Sequence, residues 1–150
     1  MVENNSGTYA KLIPDEITQN RIHAILSLFN IENAVSARDL HVTLIYSRND
    51  CNSIKHIPIQ LPIKAVGLEL AIFKNPDGSN CLVVKLDSED LQDLHWHCRN
   101  EHFALHDYPT YQPHVTLSYD FECGLPSNTF LEHFHSLYFD QYVVEPLNLD

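Results

Sequence analysis

One seven-residue segment occurs twice in this chain and constrains its architecture more than any other feature. Residues 41–47 read His-Val-Thr-Leu-Ile-Tyr-Ser and residues 114–120 read His-Val-Thr-Leu-Ser-Tyr-Asp; five of the seven positions match, 73 residues apart, about half the chain. Two copies are too few for a solenoid, so the repeat points to two halves related by a pseudo-twofold axis. Runs of valine, threonine, leucine and tyrosine favour strands. Strand side chains alternate between faces, so His41 and Thr43 share one face and Val42 and Leu44 the other, as do His114 and Thr116 against Val115 and Leu117. By the same alternation Tyr46 and Tyr119 fall on the aliphatic face and are expected to pack.

The flanking segments predict two similar halves within a single domain, residues 1–150. Thr8 to Ile13 reads as a strand stopped by Pro14. Asp15 to Phe29 carries Ile17, Ile22, Ile25, Leu26 and Phe29 at helical spacing, with acids at its start and Asn30 as a stop. Residues 48–62 read as a connecting loop with two prolines. Ile63 to Phe73 and Cys81 to Leu86 are strands around the turn Asn75-Pro76-Asp77-Gly78. Ser88 caps a helix expected to reach about Ala104. The second histidine strand, 114–120, then precedes a short helix near Asn128 to His135 and a last strand, Leu137 to Val144. Hairpins with interspersed helices predict an α+β fold of antiparallel sheet, in two pseudo-symmetric lobes around a central cleft.

Composition narrows the partners. Nine Lys and Arg against twenty Asp and Glu give a formal net charge of −11. A chain that tracks long nucleic acid needs many cations, so any nucleotide substrate is expected to be small and held by local contacts; the same charge also serves solubility. The four cysteines are scattered without a C-x-x-C pair, which suits reduced thiols in a cytosol rather than a zinc ribbon. No apolar run is long enough to span a bilayer, and the first residues lack the character of a signal peptide.

Two imidazoles and two hydroxyls converging on one cleft make a competent device for phosphodiester cleavage. A neutral histidine takes a proton from the attacking oxygen while a protonated one supplies the leaving oxygen. The threonine hydroxyls can bind the non-bridging phosphate oxygens. This needs no carboxylate cluster, so no metal and no cofactor are implied. One H-x-T alone carries little weight, since threonine is a common strand residue and a histidine in the core is commonplace; the matched second copy is what singles out the motif.

His41-Val42-Thr43-Leu44 and His114-Val115-Thr116-Leu117, the latter preceded by Pro113, resemble the paired H-x-[ST]-hydrophobic signature of the two-histidine (2H) phosphoesterase superfamily. Over its whole length the chain further resembles the phage anti-CBASS cyclic-oligonucleotide phosphodiesterases. That resemblance implies a two-lobed fold and metal-independent hydrolysis of 3′–5′ bonds in cyclic di- and trinucleotide immune messengers, through attack by a ribose 2′-hydroxyl, in the cytosol of an infected bacterium. It implies His41 and His114 as base and acid, in an order left open, and Thr43 and Thr116 as phosphate ligands. No membrane, long nucleic acid or obligate protein partner follows from it. An aromatic at Tyr9 would stack on a base; otherwise it is a core residue. Lys11 would offset phosphate charge or lie solvated, and Glu145 would accept from an adenine amino group or sit at the surface. Tyr108 and Tyr111, in the loop before His114, are positioned for one of them to touch the ligand. His95, His97, His102 and His106 cluster in sequence, but without a compact metal-ligand spacing. The alternatives are a relative acting on linear RNA ends or 2′–5′ oligoadenylate, a nucleotide sponge that binds without cutting, and a purely structural domain.

Overall fold

The computed structural model describes residues 6–105 and 110–148. Its order is β1 (Ser6–Pro14), α1 (Glu16–Leu28), β2 (Val42–Ser47), β3 (Ile63–Lys74), β4 (Asn80–Asp87), α2 (Glu89–Glu101), β5 (His114–Ser118), α3 (Asn128–Glu132) and β6 (Leu137–Asn148). The strands close a ring in the order β1-β2-β5-β4-β3-β6, every pair antiparallel. Within the ring, β2-β1-β6 and β5-β4-β3 correspond strand by strand. The two triplets touch at Val42 opposite Val115, and where Ile63, Lys64 and Ala65 pair with Phe139, Tyr138 and Leu137. This is the α+β, antiparallel, pseudo-symmetric arrangement that the repeat predicts.

The helix ends follow local chemistry. The Asp15 carboxylate accepts from the Thr18 amide at 2.7 Å, satisfying a donor the first turn of α1 cannot. Asn30, at φ 54°, turns the chain out of the helix. Ile22, Ile25 and Leu26 are buried, but Ile17 is 78% exposed, contrary to expectation. Five residues advance a helix about 140° beyond a full turn, which places Ile17 off the stripe that Ile22 anchors. In α2 the Ser88 hydroxyl accepts from the Leu91 amide and donates to the Lys64 carbonyl, tying the helix start to β3. Leu91, His95 and Cys98 form its buried face, and the helix ends at Glu101, short of Ala104, because Phe103 takes a φ of 60°. The connection 48–62 contains a short 3-10 turn, Asn52–His56. β5 and α3 are shorter than their sequence limits suggest, whereas β6 runs on to Asn148 along β1.

Phe130, Phe134 and Phe139 fill the core with Leu12, Ile22, Leu26, Leu44 and Leu82. At about 25 cal/mol per Å2 of apolar area, such side chains contribute most of the gross stabilisation.

The two histidine strands depart from simple alternation at matching places. Ala10 pairs with Ile45 and Lys11 with Thr43, so Leu44 has no residue opposite it; Leu82 pairs with Ser118 and Val83 with Thr116, so Leu117 has none. A bulge of this kind inserts one residue and reverses the facing of all that follow. Both bulged leucines are fully buried. Tyr46 and Tyr119 therefore turn away from the aliphatic face to which alternation assigns them, and are 42% and 51% exposed.

Candidate active site

β2 and β5 run antiparallel through Val42 and Val115, the residues that follow the two histidines. Each histidine consequently lies toward the other motif's threonine. The imidazoles are fixed in the same way. His41 Nδ1 lies 2.8 Å from the Asp39 carbonyl and His114 Nδ1 2.9 Å from the Gln112 carbonyl, in each case two residues back along the chain. A carbonyl only accepts, so each Nδ1 carries a proton and each Nε2 is the nitrogen left for chemistry.

Burial pushes the His114 pKa below that of an ordinary imidazole; the nearby charges of His41 and Lys85 act in the same direction, against the Gln112 carbonyl, which favours the charged form. His114 is thus held toward its neutral form, and His41, on the paired strand, is among the charges that act on it.

Around His41, Tyr9 donates or accepts a 3.0 Å hydrogen bond with the Thr43 hydroxyl, and its ring meets that of Tyr46 edge-on at 6.2 Å. Burial raises the Tyr9 pKa, so its hydroxyl stays protonated at neutral pH. Lys11 Nζ lies 5.8 Å from the Tyr9 ring centre and 3.6 Å from Glu145, whose backbone pairs with Tyr9 across β1 and β6. Tyr9, Lys11 and Glu145 are therefore brought together beside the first motif.

The second motif has a comparable surround, in which Phe73, Lys85 and Glu69 were not singled out by the sequence reading. Phe73 meets His114 edge-on at 4.9 Å, Lys85 Nζ lies 5.9 Å from the Phe73 ring centre, and Lys85 pairs with Glu69 at 3.0 Å. Burial raises the Tyr119 pKa, against a lowering influence of the neighbouring Thr116 hydroxyl. Each half thus presents an aromatic ring, a lysine–glutamate pair, and a tyrosine turned by the bulge. The signal available in sequence was the β3–β4 hairpin, which sets Glu69 opposite Lys85; the place of Lys85 opposite His114 comes only from the pairing of β4 with β5.

One sequence expectation changes. Tyr111 is buried, its hydroxyl donates to the Thr43 carbonyl at 2.7 Å, and its ring stacks on His95 at 4.0 Å. It is a core residue bonded to β2 rather than part of a lid, and it also lines a cavity of about 290 Å3 beside Pro113. Tyr108 and His106 lie outside the described residues. The remaining clustered histidines serve separate ends: His95 is fully buried, while His97 faces His102, whose ring accepts from or donates to Ser53. The four cysteines are unpaired thiols. Among the described residues, no helix is long and apolar enough to cross a membrane.

The profile of the family described as "Anti-CBASS protein Acb1" matches residues 6–150. The chain belongs to the Acb1 family of anti-CBASS proteins. It is 36% identical over 118 residues to the Acb1 of Acinetobacter phage Ac42, covering 77% of this chain and 75% of that one. To the Acb1 of Enterobacteria phage T4 it is 31% identical over 117 residues, covering 77% and 74%. Among solved structures, a phosphoesterase superposes with a TM-score of 0.62 at 13% identity, covering 95% of this chain and 88% of that one. Escherichia coli LigT in its apo form superposes with 0.56 at 15% identity, again over 95% and 88%. These likenesses establish the fold as that of the two-histidine phosphoesterases. As an Acb1 anti-CBASS protein carrying the paired histidines, the chain is a phosphodiesterase.

Proposed function

We propose that this Acb1-family chain hydrolyses 3′–5′ bonds of cyclic di- and trinucleotide immune messengers, in the cytosol of the infected bacterium, so that a phage evades CBASS defence. The observation that carries this reading is the pair of imidazoles, each locked by its Nδ1–H on a carbonyl two residues back, on strands that pair through the adjoining Val42 and Val115. His114, held neutral by burial, is suited to take the proton of a ribose 2′-hydroxyl as that oxygen bonds to the adjacent phosphorus. His41 then gives its Nε2 proton to the 5′-oxygen as the phosphorus–oxygen bond breaks. The ring opens to a 2′,3′-cyclic phosphate end, and water opens that end with the two roles exchanged. Thr43 and Thr116 hydroxyls hold the non-bridging oxygens, where negative charge is concentrated in the transition state.

Tyr9 at one end and Phe73 at the other, each beside a lysine–glutamate pair, fit a ligand with a base at either side of its phosphates. Lys11 and Lys85 offset phosphate charge there, and Glu145 accepts from a base amino group. With a formal net charge of −11 the surroundings repel polyanions, so a short cyclic ligand suits the site better than long RNA. The test is product analysis on cyclic GMP–AMP, cyclic triadenylate, a 2′–5′ oligoadenylate and a linear RNA end. Fast opening of the cyclic substrates is expected; preferential cutting of the linear ones, or recovery of intact ligand after heat denaturation, would overturn the reading.

A further inference from the structure

The bulge at Leu44 raises a question of support, because a residue with no partner across the ladder disrupts the strand's main-chain hydrogen bonds locally. Two side chains from elsewhere in the fold reach that spot. Tyr111 Oη donates to the Thr43 carbonyl at 2.7 Å, and His95 Nδ1 donates to the Leu44 carbonyl at 2.7 Å. The two rings lie face to face, 4.0 Å apart and 4° from parallel. Both are secured from behind: His95 is fully buried on α2, and Gln92 of the same helix donates to the Tyr111 carbonyl at 2.9 Å.

The second motif solves the same problem differently. At its bulge the Leu117 carbonyl accepts from the backbone amide of Val35 at 2.9 Å, so main chain does there what His95 does at Leu44. The support of the two motifs is therefore asymmetric, and side-chain substitution can loosen the first while sparing the second.

We propose that His95 and Tyr111 are positioning residues, which hold the Leu44 bulge and through it the aim of His41 and Thr43 at the scissile phosphate. Neither needs to touch the substrate. Their effect on rate arises because a misplacement of about 1 Å in a catalytic group lowers turnover by up to 100-fold, while ligand affinity depends on surfaces they do not form.

The inference rests on the proposed chemistry of the cleft, and its test separates the two. Tyr111→Phe retains the stacked ring and removes the bond to Thr43; His95→Leu removes the bond to Leu44, and His95→Asn restores a donor near the Nδ1 position. On cyclic GMP–AMP, Tyr111→Phe and His95→Leu should each lower kcat about tenfold or more with KM within about twofold of wild type, and His95→Asn should recover most of the loss. Should His95→Leu fail to fold, Tyr111→Phe still decides. Wild-type kcat in Tyr111→Phe, a rise in KM with kcat unchanged, or no advantage of His95→Asn over His95→Leu would overturn the proposal. Amide chemical shifts give a readout independent of any substrate: in Tyr111→Phe those of His41 and Thr43 should move while those of His114 and Thr116 stay. Four unmoved amides would refute the device even if turnover proceeds as proposed.

Discussion

The imidazole of His114 is the residue whose surroundings do most to set the chemistry. Burial and the nearby charges of His41 and Lys85 disfavour its protonation, and the sign of the consequence can be worked out. With its folded pKa below the free value of about 6.5, His114 as base remains competent through neutral pH, and the acidic limb of kcat/KM should lie below about 6.5. Lys85→Met removes one of the positive charges, so the acidic limb should move upward, by roughly a few tenths of a pH unit. A limb that stays in place or moves down would show that Lys85 does not act on this histidine. The same depression makes the unfolded chain the better proton acceptor. His114 therefore contributes stability that is full above about 6.5 and is lost as pH falls through its folded pKa. His41, Thr43, His114 and Thr116 could be singled out as candidate site residues from their repetition alone. Phe73, Lys85 and Glu69 were not, since each is an ordinary strand residue until β3, β4 and β5 are aligned.

At the scale of elements, most segments could be read from punctuation: Ser88 as a cap, Asn30 as a stop, Asn75 to Gly78 as a hairpin turn. What escaped the pattern were the bulges at Leu44 and Leu117. Alternation is a property of an unbroken ladder, and a leucine that adds an extra residue looks the same in sequence as one that does not. The misreading of Tyr46 and Tyr119 follows directly from that. Ile17 failed for a related reason, as an apolar residue near a helical stripe need not lie on it. A contact of β3 allows a further prediction. Gly67 donates its amide to the Phe134 carbonyl, and a Cβ built there would lie 2.7 Å from Phe134 Cβ and 2.9 Å from that carbonyl oxygen. Gly67→Ala must therefore push β3 away from the segment after α3. A loss of about 1–3 kcal/mol in denaturant unfolding is expected, with the His41 and His114 environments intact; unchanged stability would mean that this approach is looser than described.

For the molecule as a whole, the ring of strands brings together segments 73 positions apart, and only its closure turns two weak motifs into one site. Each half alone offers an imidazole, a hydroxyl, an aromatic and a lysine–glutamate pair; in the proposed mechanism the two halves in register supply an acid and a base to one phosphate. The fold class and the pairing of halves were legible because a repeated strand motif leaves few other arrangements. The place of Phe73 beside His114 was not, because it depends on contacts between strands distant in sequence. The central claim is that proton transfer by these two rings, without a metal, opens the cyclic substrate. It is tested most directly by the turnover of cyclic GMP–AMP in excess EDTA by the wild type and by a His41→Ala, His114→Ala double variant. The account predicts full activity for the wild type under chelation and a loss of at least about 1,000-fold in the folded variant; abolition by EDTA, or survival of turnover without the histidines, would contradict it.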